Sequence, residues 1–195
     1  SIASVQEHAC FLLKTDQQGL ASSIQVIENI NLENGAVFSE NRNGSVLVAV
    51  AHPDSSIVVN DLEVDLAGQD GVVLYELDAN AQFSLISAVE GNDPILLHDL
   101  AFGELEDHSS LLIESVNGTQ ASIGVSDTSA NLQAGISIIQ FDESGLYQWH
   151  TELGTGTTTE LMDMVYGKNG DIFLGLTFEN QIDVLGTPIH SNGGK

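Results

Sequence analysis

The sequence predicts an all-β fold built as an array of three four-stranded antiparallel blades, each repeat spanning about 62 to 64 residues. Three observations lead there. An apolar run ending in aspartate recurs at near-constant spacing, the strong apolar segments are short and bounded by turn residues, and no segment sustains helical periodicity over three turns. The first anchor occurs as Phe11-Leu12-Leu13-Lys14-Thr15-Asp16, Val73-Leu74-Tyr75-Glu76-Leu77-Asp78 and Ser137-Ile138-Ile139-Gln140-Phe141-Asp142, which places the aspartates 62 and then 64 residues apart. A second anchor, at Ser45 to Val50, Ser109 to Glu114 and Asp171 to Leu176, is spaced 64 and then 62. Two anchors holding nearly one period define a tandem repeat, and a four-stranded unit with a strand covered on both faces makes the array β-propeller-like. Residues 1–9 read as an N-terminal extension, 10–71 as repeat 1, 72–135 as repeat 2 and 136–195 as repeat 3, all sharing one continuous core.

Each element follows from its residues. Strand one alternates, with Val73, Tyr75 and Leu77 on one face and Leu74 and Glu76 on the other. The turn after it, as in Asp142-Glu143-Ser144-Gly145, carries the Asx and glycine chemistry that closes a hairpin onto strand two. In repeat 3 the strands read as 136–142, 146–153, 161–166 and 171–178, with Gly167-Lys168-Asn169-Gly170 turning the third into the fourth. Strand four is continuously apolar, as in Val46 to Ala51, which suits a strand buried on both faces. Pro53, Pro94 and Pro188 fall at connections. The period equates Leu13, Tyr75 and Ile139 as buried core positions, and likewise Leu47, Leu111 and Phe173.

Composition narrows the function classes. With 42% hydrophobic residues the chain can bury a substantial core, while 28 acidic residues against 4 Lys and Arg give a formal net charge of -24. Such a field repels phosphate backbones and anionic lipid heads, so neither nucleic acid nor a membrane surface is an expected partner, and it suits saline surroundings. Cys10 is the only cysteine, which excludes an intrachain disulfide and a thiolate zinc cluster and leaves it as a small buried hydrophobe. No apolar stretch approaches the ~20 residues that a membrane-crossing helix needs. Abundant Thr, Ser, Asn and Gly with scarce Lys predict an exported protein, extracellular or at the cell surface, whose signal peptide has been removed.

Repeat 3 carries a family resemblance. The run Ile138-Ile139-Gln140-Phe141-Asp142-Glu143-Ser144-Gly145-Leu146-Tyr147-Gln148-Trp149, with Gly154 and then Tyr166 through Gly175, resembles the β-propeller repeat of bacterial SBBP-type secreted proteins. His190-Ser191-Asn192-Gly193-Gly194-Lys195 is similar to the link that precedes a further first strand, and Leu66-Ala67-Gly68-Gln69-Asp70-Gly71 runs into Val73 in the same manner. The resemblance covers nearly the whole chain from about residue 10, although Ser23 and Leu85 stand where repeat 3 has Trp149. It implies an extracellular scaffold or binding module with no catalytic set. Asp142, Gly145 and Trp149 are also similar to the PQQ-type propeller repeat, but a single Trp and the lack of a cationic cluster leave a quinone without a seat, and no cofactor is expected.

The chemistry-bearing residues have plain alternatives. Histidines 8, 52, 98, 108, 150 and 190 never pair at i, i+2 or i, i+4 and read as surface or structural groups, with His98-Asp99 and Trp149-His150 the pairs to follow in space. No Gly-x-Ser-x-Gly elbow is present and no enzymatic activity is expected. Calcium candidates are Asp142 with Glu143, Asp61 with Glu63 and Asp65, and the Glu104, Glu106, Asp107 cluster, against the alternative of solvated acidic surface. Asn43-Gly44-Ser45 and Asn117-Gly118-Thr119 fit the glycosylation pattern and equally fit Asn-Gly turns.

Two function classes follow. One is a non-enzymatic extracellular scaffold or adhesion module whose loops present Asn, Asp, Tyr and Trp to a protein or glycan. The other is a structural subunit of an extracellular ring, stalk or filament, with a propeller enzyme as a more distant third. Three blades fall short of the four to eight that close a ring, so the expectation is a homo-oligomer or further blades of a longer parent chain.

Overall fold

The short apolar runs form β-strands, and no helix occurs among the described residues. The computed structural model describes residues 9–28, 36–40, 45–52, 56–59, 62–65, 71–78, 83–103, 108–115, 119–123, 128–154, 162–178 and 180–191. Repeat 1 contributes β1 (Ala9–Thr15), β2 (Ala21–Glu28), β3 (Ala36–Glu40), β4 (Val46–His52), β5 (Ser56–Val59) and β6 (Leu62–Asp65). Repeat 2 contributes β7 (Gly71–Leu77), β8 (Phe83–Gly91), β9 (Ile95–Gly103), β10 (His108–Ser115), β11 (Thr119–Ile123) and β12 (Thr128–Leu132). Repeat 3 contributes β13 (Gly135–Phe141), β14 (Tyr147–Gly154), β15 (Met162–Tyr166), β16 (Ile172–Leu176), β17 (Gln181–Val184) and β18 (Thr187–His190). The four strands read from repeat 3 are β13 to β16 to within two residues at most ends. Each repeat also folds a third hairpin, β5-β6, β11-β12 or β17-β18, where the sequence suggested only a link.

The expected four-stranded blades do not coincide with the repeats. One sheet runs β12-β11-β8-β7-β4-β3, a second runs β14-β13-β10-β9, and β1-β2, β5-β6, β15-β16 and β17-β18 form two-stranded sheets. A fourth strand has two hydrogen-bonding edges. One is taken by the third strand of its own repeat and the other by the first strand of the next. Thus β4 pairs with β7, setting Val48 opposite Tyr75, and β10 pairs with β13, setting Leu111 opposite Ile139. The sheets are therefore assembled half a repeat out of phase with the sequence units.

The two large sheets pack face to face. Leu47, Ala49, Ala51, Val72, Leu74 and Val89 of the six-stranded sheet meet Ile95, Leu100, Leu111, Ile113, Ile139 and Phe141 of the four-stranded one. The far side of the four-stranded sheet, with Ala101, Ile136, Ile138 and Leu153, packs on Met164, Leu174 and Ile182 from β15, β16 and β17. Continuously apolar strands are what a sheet covered on both faces requires.

The expected core triplets hold only inside this stack. Tyr75 and Ile139 are fully buried, whereas Leu13 is 49% exposed on β1. Leu47 and Leu111 are both buried but face opposite ways, Leu47 toward the four-stranded sheet and Leu111 back toward the six-stranded one. Register makes Val48 the counterpart of Leu111, and Ser110 the counterpart of Leu47. Phe173 is 59% exposed because β16 turns Ile172, Leu174 and Leu176 toward the stack and Phe173 away from it.

Candidate functional site

The anchoring aspartate is a turn device. Asp142 Oδ1 accepts from the backbone N–H of Ser144 at 2.9 Å and of Leu146 at 3.0 Å, and Oδ2 accepts from Gln148 Nε2 at 2.9 Å. The backbone closes around it, with the Asp142 N–H donating to Leu146 O and the Gly145 N–H to Asp142 O. Asp16 repeats the arrangement, accepting from the N–H groups of Gln18 and Leu20 at 2.9 Å each. A glycine with positive φ completes both turns, Gly19 at 81° and Gly145 at 75°. Gly145 has a second constraint, since a Cβ there would collide with Ile86 of β8 on the neighbouring sheet.

That contact seats the turn at a cleft between the two large sheets. Leu47, Glu76, Ile86, Phe102, Ser109, Asp142 and Glu143 line a small recess open to solvent, with room for about one water molecule. Glu76 is oriented by the Ser45 hydroxyl, which donates to Oε1 at 2.6 Å. Apolar Leu47, Ile86 and Phe102 share this lining with the carboxylates of Glu76, Asp142 and Glu143. Carboxylates accept hydrogen bonds from hydroxyl, ammonium or guanidinium groups, so the recess presents acceptors at its edge.

Of the calcium candidates, Asp142 has both oxygens engaged in its turn and Glu143 is exposed at the cleft. Asp61 and Glu104, Glu106 and Asp107 lie outside the described residues, while Glu63 and Asp65 lie on β6 opposite Val58 and Ser56. Both Asn-Gly candidates, Asn43 and Asn117, also lie outside. Among the described residues no three His, Cys, Asp or Glu side chains cluster closely enough to hold a metal ion.

Two polar ties between layers have partners that the sequence did not indicate, although Asp99 stood out beside His98. Tyr166 OH meets Ser110 Oγ at 2.5 Å and accepts from Gln140 Nε2 at 3.0 Å, tying β15 to the four-stranded sheet. Asp99 joins the same layers, accepting from its neighbour Leu100 N–H and from the Met164 N–H across the interface. Burial raises the Asp99 carboxyl above the usual carboxylate range, the two N–H donors pull it down, and the adjoining Asp163 raises it again. Of the two histidine pairs, Trp149-His150 places His150 Nδ1 at 2.7 Å from Tyr147 OH, with Trp149 exposed on β14. Residues distant in sequence make these ties between layers, and only the sheet phase reveals them.

No protein-family model matches the chain, and neither does any curated protein or solved structure. No helix among the described residues is long and apolar enough to cross a membrane.

Proposed function

We propose that the chain is part of a non-enzymatic, extracellular or cell-surface β-propeller-like scaffold that binds protein or glycan at its turn end. One observation carries the reading: the fourth-strand to first-strand joint is made twice, at β4–β7 and β10–β13, between sheets packed face to face. A joint that repeats with the sequence can be iterated, and iteration of sheets about a common stack is how blades are assembled. The likeness of repeat 3 to SBBP-type repeats supports the extracellular setting. Side chains that could serve chemistry are engaged in structure instead, Asp142 in its turn and Tyr166 between layers. The recess lined by Glu76, Glu143 and Phe102 offers acceptors to sugar hydroxyls or basic side chains at its edge.

Retention of the purified chain on glycan and basic-peptide arrays tests this. Specific retention that is lost in Glu143→Lys, with an unchanged melting temperature, is the expected result. Retention indifferent to that charge reversal overturns the cleft as the binding end. The structural-subunit alternative is favoured by a separate observation, the apolar side chains left exposed on β1-β2 and on β15-β16.

A further inference from the structure

Among the exposed large apolar side chains, three sets lie on β1-β2, β3 and β15-β16. Phe11, Leu13 and Ile24 are 65%, 49% and 52% exposed on β1-β2, Phe38 is 48% exposed on β3, and Val165 and Phe173 are 58% and 59% exposed on β15-β16. Among the described residues β1 pairs only with β2 and β16 only with β15, so each keeps one open edge, as the outer strands of the other sheets do. One missing joint accounts for the open edges of β1 and β16 and for the exposed apolar side chains beside them.

The internal joints show what fits. Among the described residues the fourth strand β16 lacks the first-strand partner that β4 finds in β7 and β10 finds in β13, and the first strand β1 lacks the fourth-strand partner those sheets possess. We infer that β16 of one copy pairs antiparallel with β1 of a second copy, giving a head-to-tail assembly through a composite sheet β15-β16-β1-β2. The inference rests on the blade-array reading above and adds to it an occupant and a register. Val48 opposite Tyr75 and Leu111 opposite Ile139 carry over, through the repeat, to Leu174 opposite the second copy's Leu13. Ala51 opposite Val72 and Glu114 opposite Ile136 carry over to Thr177 opposite Cys10.

A second copy is the fitting occupant because both halves of the joint belong to this chain. The turn glycines point the same way. A Cβ built on Gly145 would meet Ile86 of the preceding sheet, whereas one built on Gly19, in the same turn of β1-β2, would meet no atom within 4 Å. On the composite sheet Val165 and Phe173 lie on the side that faces β3 of the second copy, where Phe38 stands exposed. The interface is heterologous, so copies add in one direction until the rotation closes or a filament grows. Each copy carries a net charge of -24, and screening by salt strengthens the association.

The test uses the native cysteine. Thr177→Cys in the 195-residue chain, under mild oxidation, is expected to give intermolecular disulfides with Cys10 and light-scattering masses that are multiples of one chain, increasing with salt. Thr177→Cys with Cys10→Ser, and Asn169→Cys in the exposed turn, are expected to give none. Phe173→Glu, at a position exposed in the single chain, is expected to keep the melting temperature and weaken association by about tenfold or more. Oligomers without the Cys10 bridge overturn the joint while leaving the scaffold reading intact. A monomer at all salt concentrations overturns it as well. A disulfide from Cys10 to the thiol introduced by Thr177→Cys, formed within one monomer, overturns the second copy as occupant, since the chain then closes on itself.

Discussion

Gly19 and Gly145 occupy the same turn with nearly the same φ, yet their surroundings differ, and substitution separates backbone strain from packing. Gly19→Ala meets open space and is expected to cost about 1 kcal/mol of left-handed strain. Gly145→Ala adds a collision with the Ile86 backbone and is expected to cost about 2 to 4 kcal/mol, read from urea denaturation of the two variants. Both glycines were legible as turn residues, but the second constraint on Gly145 was not, because Ile86 lies on another sheet. The same limit applies to Asp99. Its raised carboxyl favours the protonated form in the fold, so its contribution to stability is present at low pH and lost as pH rises through the raised value. Asp163→Asn removes the neighbouring negative charge. Melting temperatures across the acid range are expected to show the variant gaining over wild type as pH rises toward neutral, and an unchanged difference would show that the two carboxyls are not coupled.

Hairpins were the most legible elements, because their turn residues and alternation are local. Two features of the elements escaped. The third hairpin of each repeat is short, four residues per strand in β5-β6 and β17-β18, and offers too few alternations to distinguish a strand from a link. The pairing of β4 with β7 escaped for a deeper reason: a tandem repeat defines a period and not a phase, so nothing local says which two hairpins share a sheet. The candidate site was half legible. Asp142 was singled out as a calcium candidate, and what the structure gives it is a turn, with Oδ1 closing two N–H groups and Oδ2 a third donor. Asp142→Ala is expected to cost about 1 to 3 kcal/mol by leaving those donors without their acceptor. Millimolar calcium is expected to leave the wild-type melting temperature unchanged, and a rise would show that carboxylates of this chain recruit an ion.

Across the whole molecule the half-repeat offset governs how the chain tolerates change in its own length. Each of the two large sheets joins hairpins from two successive repeats, so the join between hairpins, not the repeat boundary, is the unit of construction. Excising residues 78–141, one full period, would run Leu77 directly into the Asp142 turn and lead β7 into β14. The shortened chain keeps an unbroken ladder from β3 through β4 and β7 to β14, and Tyr166 would meet Glu76, the counterpart of Gln140, as its hydrogen-bond partner. That deletion is expected to fold with a β-sheet circular dichroism spectrum and a cooperative melt, while a deletion of half a period should not. Copy number can therefore drift by unequal recombination at any point within the period, since every in-phase crossover yields a chain with whole sheets.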